Sequence, residues 1–168
     1  AAVTGGASTV GLAVAHAFGR SNYPGVYGTA ALGTTIVNGN GSFWENSRRS
    51  FRDYTDGMSN TIMVGERRSP GLVNALATGG DTIWATATAN TTIQGKSYIL
   101  GDSTVRMNAT ETTATPGTVT IRGFSSLHTG GAHFLVGDGG VKFVSENIST
   151  TIMNNIVTAN GNEVVGDF

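Results

Sequence analysis

Runs of apolar and β-branched residues alternate with turn-forming residues along this chain, and the clearest pair of runs lies near its C-terminal end. Residues 133–136 (HFLV) and 141–144 (VKFV) flank a Gly-Asp-Gly-Gly sequence, which supplies the positive φ angles that tight turns require. This pattern predicts a β-hairpin. Asp138 and Gly139 lie at its turn, where the Asp138 carboxylate is expected to cap the backbone.

Other segments predict a sheet with long connections. A strand buried on at least one face is predicted at residues 61–66 and another strand at residues 82–87, while residues 53–59 fit one helical turn or a compact loop. Asn-Gly repeats beside residues 34–37 indicate a further hairpin. The most polar part of the chain, residues 89–120, predicts an exposed loop or an edge insertion.

One helix is predicted near the C-terminus. Residues 150–159 follow Ser149, a suitable N-cap, and precede Asn160 and Gly161, which favour a left-handed stop. Three residues form the apolar stripe of this helix: Ile152, Met153 and Ile156. Together the elements predict an α+β, β-rich fold with an antiparallel sheet, hairpins, a C-terminal helix packed on the sheet, and long glycine- and threonine-rich loops.

The N-terminal segment differs from the rest of the chain. Residues 1–20 are small, apolar and interrupted by glycine, and their pattern leaves helix and strand open for residues 7–18. We expect extended structure, because glycine weakens a helix. A length of 168 residues suits one domain. The sequence therefore predicts an N-terminal extended arm at residues 1–20, a candidate contact between subunits, and a single globular domain at residues 21–168.

Charged residues are scarce, since Asp, Glu, Lys and Arg make up 12% of the chain, against about 25% in ordinary soluble domains. Such a surface favours a protein that is covered by sister subunits or by sugar. The net charge of −1 argues against nucleic-acid binding, and we expect the arginine pairs at 48–49 and 67–68 to be solvated loop ends. No membrane span is expected, because the apolar stretch at residues 10–18 is about half the roughly 20 residues that a spanning helix needs.

Three sequence blocks carry a resemblance to a known family. His128 stands ten residues before Asp138, which Gly139 follows, and this is the spacing of a His-X9-Asp-Gly signature. Residues 161–168 are similar to the C-terminal sequence of the same family. Residues 51–67 match a D-x-T-D-G-x-S-N-T-x-x-V-G-E run. The matched positions of that run include Asp53, Asp56, Gly57, Asn60 and Glu66. On these blocks the chain resembles the bacterial prepilin-type processing-associated family, whose members are mostly uncharacterised.

The resemblance implies a pilin-like or pseudopilin-like protein located outside the cell or on its surface, and a structural subunit that assembles with copies of itself into a filament or fimbrium. Family precursors begin with a short basic leader and a long apolar helix, whereas this chain begins with AAVTGG. We therefore expect the pilin helix to be missing from this chain. Residues 1–20 are then the candidate joint, either as a strand added to an open sheet edge of the next subunit or as a segment that fills a groove on it. Such a head-to-tail contact generates a helical polymer.

A hydrolase is the sharpest enzymatic alternative. Ser125 or Ser126, together with His128 and Asp138, supplies the residue types of a catalytic triad. No G-x-S-x-G elbow surrounds either serine. We therefore expect no catalysis, and a structural role for His128 at the entry to the hairpin.

Metal binding is a further alternative. His128 and His133 are five residues apart, and on one strand this spacing places them on opposite faces, so a shared zinc ion is disfavoured. Related pseudopilins can carry a calcium-binding loop, which makes Asp53 and Asp56 weak calcium candidates. Two carboxylates do not complete the six to eight oxygen ligands that calcium takes. We expect both residues to cap a helical turn instead, and we expect no other cofactor.

Four N-x-[ST] sequences are candidates for a covalent N-linked glycan: Asn40, Asn90, Asn108 and Asn147. Threonines between residues 110 and 115 are candidates for O-linked sugar. The alternative to a filament subunit is a monomeric secreted or periplasmic carbohydrate-binding module. Its candidate stacking residues are Trp44, Trp84, Tyr23 and Tyr27.

Overall fold

A computed structural model describes residues 20–32, 38–68, 82–83, 96–109, 122–163, 165–166 and 168. The strands in chain order are β1 (Arg20–Ser21), β2 (Gly25–Gly28), β3 (Ile62–Gly65), β4 (Thr82–Ile83), β5 (Leu100–Asp102), β6 (Gly131–Val136) and β7 (Val141–Ser145). Two 3₁₀ turns, Phe51–Asp53 and Met58–Asn60, precede β3, and one α-helix, α1 (Thr150–Val157), follows β7. No helix in this part of the chain is long and apolar enough to cross a membrane.

The principal sheet has five strands in the order β5-β2-β3-β6-β7, and β1 and β4 form a separate antiparallel pair. Neighbouring strands of the principal sheet are antiparallel except β2 and β5, which run parallel. The predicted α+β, β-rich class is confirmed, but the sheet is mixed rather than wholly antiparallel. Residues 29–99 separate β2 from β5, and over such a connection the local pattern does not determine strand direction.

Strand β5 lies inside residues 89–120, the segment that the sequence assigns to an exposed loop or an edge insertion. Leu100, Gly101 and Asp102 are all buried, and Leu100 lies opposite Gly25 of β2. Of the two predicted alternatives, an exposed loop is therefore wrong for β5, whereas an edge insertion fits its position at one end of the principal sheet. The strand is short and has polar neighbours, so no alternation of apolar and polar residues marks it.

Strands β6 and β7 form an antiparallel hairpin that ends the sheet. His133 lies opposite Phe143, and Leu135 lies opposite Val141 on β7 and Val64 on β3. The alternate residues of β6 are buried in the core. We call the surface formed by these five side chains the outer face of the sheet, because it points away from the core.

The turn of this hairpin is closed by its own polar groups. The Asp138 Oδ1 accepts the Gly140 N–H at 2.8 Å, and the Gly140 carbonyl accepts the Val136 N–H at 2.9 Å. Gly139 has a φ of +91°, a backbone conformation that glycine adopts without strain. The carboxylate of Asp138 is thereby engaged at the tip of the hairpin.

The core lies between the inner face of the sheet and α1. Its largest buried residues include Ile62, Phe124, Phe134, Val144 and Ile156. The predicted N-cap of α1 is confirmed, because the Ser149 Oγ accepts the Ile152 N–H at 3.2 Å. The buried stripe comprises Met153, Ile156 and Val157, while Ile152 is exposed, so the predicted stripe is wrong at that one position.

The predicted end of α1 is also wrong. The helix ends at Val157, and Thr158 has an extended backbone rather than a left-handed one (φ −83°, ψ 149°). The Thr158 hydroxyl donates to the Asn155 carbonyl at 3.0 Å, which satisfies an acceptor of the last turn without a left-handed residue at 160–161. The residue with positive φ is Asn162 (φ 63°).

A buried arginine joins the end of β3 to β5. Arg67 is 4% exposed, and its guanidinium donates to the carbonyls of Ser97, Leu100 and Gly123. Burial lowers the pKa of Arg67 to about 9, and the charge of the buried Asp102 opposes this shift. The expectation that Arg67 is a solvated loop end is therefore wrong, because backbone carbonyls replace water around its donors.

Candidate functional site

Three side chains that can bind a metal ion meet at one end of the outer face. Glu66 follows β3, His133 lies on β6, and His128 lies in the loop before β6. One ligand atom from each residue lies within 4.8 Å of the other two. We call these three residues the Glu-His-His cluster.

The pairing of β3 with β6 positions Glu66 against His133. The Glu66 N–H donates to the His133 carbonyl at 3.1 Å, and the His133 N–H donates to Glu66 Oε2 at 2.8 Å. The same Oε2 lies 3.4 Å from His133 Nδ1. The His133 ring packs edge to face against Phe143, with ring centroids 5.1 Å apart. Backbone hydrogen bonds and ring packing therefore hold both side chains in place.

His128 reaches the cluster because its loop folds back towards the sheet. The His128 N–H donates to Ser126 Oγ at 2.9 Å, and the Ser126 N–H donates to Asn108 Oδ1 at 2.8 Å. Gly130, with a φ of +87°, turns the chain into β6. His128 Nε2 then lies 3.3 Å from Glu66 Oε1, and the two imidazole rings meet edge to face with centroids 4.8 Å apart.

The cluster combines one charged oxygen donor with two accessible ring nitrogens. The side chain of Glu66 is 16% exposed, that of His128 54% and that of His133 43%. Partial burial raises the pKa of Glu66, but the hydrogen bond from the His133 backbone and the neighbouring imidazoles lower it by more, so the net pKa lies below its ordinary value. A carboxylate beside two imidazoles is a donor set that zinc and similar divalent metals accept.

The spacing argument against a shared zinc ion is wrong. It assumes that His128 and His133 lie on one strand, where residues five apart face opposite sides. Strand β6 begins at Gly131, so His128 belongs to the preceding loop, which returns its ring to His133. Glu66 is 67 residues from His133 in sequence, and local spacing does not reveal that contact. The signal available in the sequence is that Glu66 and His128 both stand in the blocks that carry the resemblance to a family.

The family model that matches this sequence is described as a protein of unknown function (DUF1559), and it matches residues 5–151. The chain belongs to the DUF1559 family. All three residues of the Glu-His-His cluster lie within the matched region. No curated protein and no solved structure matches the chain.

This DUF1559 chain does not bring together the residues of the hydrolase alternative, Ser125 or Ser126, His128 and Asp138. Asp138 follows the far end of β6 from His128, and the six residues of that strand span about 20 Å. The Oγ atoms of Ser125 and Ser126 both accept backbone N–H groups. The carboxylate beside the His128 ring is that of Glu66. The described residues therefore do not form the Ser-His-Asp triad that the hydrolase alternative requires.

Asp53 and Asp56 have separate structural partners. Asp53 Oδ2 accepts the Ser50 N–H at 2.6 Å and the Ser50 hydroxyl at 2.8 Å, which caps the first 3₁₀ turn and lowers the pKa of Asp53. Asp56 is buried, and its oxygens accept the N–H groups of Gly161 at 2.7 Å and Asn162 at 2.6 Å. The prediction that Asp56 caps its own turn is wrong, because it binds the segment after α1 instead.

The rest of this motif shapes the turn that presents Asp56. Gly57 has a φ of +94°, and its carbonyl accepts the Thr61 hydroxyl at 3.1 Å. Asn60 Nδ2 donates to the Asp56 carbonyl at 3.2 Å. The two calcium candidates, Asp53 and Asp56, do not belong to the Glu-His-His cluster. In the part of the chain that the structure describes, these motif residues make backbone contacts.

The described glycosylation candidates differ in their surroundings. Asn40 makes two hydrogen bonds with Thr29. Its Oδ1 accepts the Thr29 N–H at 2.9 Å, and its Nδ2 donates to the Thr29 hydroxyl at 2.8 Å. In the side-chain amide of Asn108, Nδ2 donates one hydrogen bond and Oδ1 accepts another. Asn147 is exposed, and Asn90 lies outside the described residues. Asn147 is therefore the most accessible of the three described sequons.

Two of the candidate stacking residues contribute to packing within the domain. Tyr27 is buried, and Trp44 packs against the small hydrophobic cluster that contains it. The Arg49 guanidinium lies over the Trp44 ring, 4.8 Å from its centroid, so Arg49 is not a solvated loop end either. Tyr23 is 62% exposed, and Trp84 lies outside the described residues.

Proposed function

We propose that this chain is a non-catalytic structural subunit of an extracellular or cell-surface filament of the pilin-like or pseudopilin-like type, joined to copies of itself. The resemblance of the His-X9-Asp-Gly block to prepilin-type processing-associated proteins supports the class. The low share of charged residues supports a surface that sister subunits cover. The observation that carries the proposal is the exposed apolar surface at strand β7.

Among the described strands, β7 ends the principal sheet, and its ladder hydrogen bonds run to β6 alone. Val141 and Phe143 of β7 are 65% and 45% exposed, and the adjacent Leu135 is 37% exposed. An apolar surface beside an open sheet edge is the kind of surface to which a strand from another chain adds. The outer face therefore supports β7 as the joint between subunits.

The one charged residue of β7 leaves that edge free. Lys142 alternates to the side opposite Val141 and Phe143. Its Nζ lies 4.0 Å from the centroid of the Phe168 ring, a cation–π contact within the subunit. Edge lysines commonly discourage strand addition. Here the Lys142 ammonium is held over the Phe168 ring, so it does not oppose an incoming strand.

We assign the occupant of this edge to residues 1–19 of a neighbouring copy, which lie outside the described part of the chain. Arg20 is left out of this segment, because it pairs with Ile83 of its own subunit in β1 and β4. In an extended strand alternate residues share a face, so Val10, Leu12 and Val14 would lie together and cover the outer face. Their backbone would pair with β7. This contact is head to tail, so it does not close on itself and generates a helical polymer.

Negative-stain microscopy and sedimentation of the purified chain test the proposal. We expect fibres from the unmodified chain and folded monomers after deletion of residues 1–18. Val141→Asp should also block assembly, because the joint would bury an unpaired carboxylate. Phe51→Asp is the matched control, because Phe51 is 83% exposed in a 3₁₀ turn rather than on the sheet, and its substitution should leave fibres intact.

Three outcomes would contradict parts of this proposal. Monodisperse particles from the unmodified chain across a wide range of concentrations would exclude a filament built by this chain alone. Normal fibres from Val141→Asp would exclude β7 as the joint, and normal fibres from the truncated chain would exclude the arm. Circular dichroism of each variant establishes that the fold is retained.

A further inference from the structure

The distances within the Glu-His-His cluster suit ligands around a shared ion. Glu66 Oε1 lies 3.3 Å from His128 Nε2, and Glu66 Oε2 lies 3.4 Å from His133 Nδ1. Charge-assisted hydrogen bonds to a carboxylate are shorter, about 2.7–2.9 Å. Ligands bonded at about 2.0–2.1 Å in a tetrahedral zinc site lie about 3.3 Å apart. Each imidazole nitrogen therefore lies at a zinc-site separation from one oxygen of Glu66, although the two distances belong to different oxygens of that carboxylate. One ligand atom from each of the three residues lies within 4.8 Å of the other two.

Two of the three ligands are held by the sheet, and the third can adjust. The His133 N–H fixes the Glu66 carboxylate at 2.8 Å, and Phe143 packs on the His133 ring. Contacts of this kind orient ligands before a metal binds. His128 lies in a loop and its side chain is 54% exposed, so a rotation of its ring can shorten the distance between its ligand nitrogen and that of His133. The ordering needed for binding is therefore small.

The donor types select among metals. Two imidazole nitrogens and one carboxylate suit Zn²⁺ and its transition-metal neighbours, whereas Ca²⁺ and Mg²⁺ prefer sites built from oxygen alone. The exposure of both histidines leaves a fourth position accessible to a water molecule. Three protein ligands with one open position form a recurrent zinc arrangement.

We infer that the Glu-His-His cluster binds one divalent transition-metal ion, with Zn²⁺ the best match to its donors and spacing. The bound ion ties the loop that carries His128 to Glu66, which follows β3, and to His133 on β6. This site is distinct from the calcium candidates Asp53 and Asp56. The inference concerns a single subunit and does not depend on filament assembly.

Calorimetric titration of the purified, untagged chain with ZnCl₂ tests the inference, with MgCl₂ and CaCl₂ as comparison salts. We expect one Zn²⁺ per chain and no comparable binding of the other two ions. His128→Ala and Glu66→Gln should each weaken Zn²⁺ binding by at least about tenfold. Glu66→Gln keeps an acceptor for the His133 N–H. His16→Ala, which removes the third histidine of the chain, is the matched control and should bind as the unmodified chain does.

Nuclear magnetic resonance of the imidazole groups separates ligation from an indirect effect. Zn²⁺ should shift the ring signals of His128 and His133 and leave those of His16 in place. An unmodified chain that binds no Zn²⁺ would show that the cluster only joins side chains of the protein to one another and would overturn the inference. Zn²⁺ binding that survives both cluster variants, or that His16→Ala abolishes, would overturn it equally.

Discussion

Replacing Asp56 by alanine removes the contact that holds the segment after α1 against the turn before β3. Asp56 is 7% exposed, and its carboxylate accepts the N–H groups of Gly161 and Asn162 at 2.7 Å and 2.6 Å. A hydrogen bond to a charged group contributes about 1.5–3 kcal/mol. Since Asp56→Ala removes two such bonds, we expect it to lower the free energy of unfolding by about 3–6 kcal/mol.

Urea unfolding at neutral pH, followed by circular dichroism, measures this loss. The midpoint should fall while the dependence of the free energy on urea stays nearly constant, because the surface exposed on unfolding changes little. Asp53→Ala is the control within the same motif. The Asp53 carboxylate is exposed to solvent and bonds only within its own turn, so its removal should cost less than removal of Asp56.

Hydrogen exchange gives an independent test of the same contact. The amides of Gly161 and Asn162 should exchange slowly in the unmodified chain and faster in Asp56→Ala, because both lose their acceptor. A stability loss no larger than that of Asp53→Ala would refute the reasoning. Amides that stay protected in Asp56→Ala would show that another acceptor holds the segment.

Three further predictions concern the backbone and the charges. Gly139→Val should destabilise the fold by about 1–3 kcal/mol in thermal unfolding, because Gly139 has a φ of +91°. Gly166→Val is the control, because this site is equally open but has no positive φ, and the substitution should leave stability unchanged. Equal losses of stability in the two variants would contradict the argument. Arg67→Met should lower the free energy of unfolding by at least about 3 kcal/mol through unsatisfied buried carbonyls, against under about 0.5 kcal/mol for the exposed Arg68→Met. Hydrogen bonds hold the pKa of Asp53 below its ordinary value of 3.8. The ionised Asp53 should therefore contribute its full stabilisation above pH 3.8 and lose it as the pH falls through the lowered pKa. Urea unfolding of Asp53→Asn at a series of acid pH values should lack this pH-dependent loss of stability.

The sequence by itself determined the elements whose physical cause lies within a few residues. Ser149 is recognisable as an N-cap because the N–H that it accepts is three residues away. The runs on either side of residues 137–140 become β6 and β7, because β-branched and aromatic residues suit a pleated surface and glycine suits the turn. The α+β, β-rich class follows from the same local signals. The sequence motifs include Glu66 and His128, but they do not indicate that these two residues contact each other.

Only the tertiary structure decided which distant residues meet. Asp56 binds Gly161 across 105 residues, and Glu66 binds His133 across 67. The entropy of closing a loop changes slowly with its length, so sequence separation does not select among such contacts. The packing of the whole core selects them, through the order and register of the strands. For that reason the sequence marks Glu66 only as a motif residue and disfavours a zinc ion shared by His128 and His133. The pairing of β3 with β6 and the return of the loop before β6 bring the three side chains into one site.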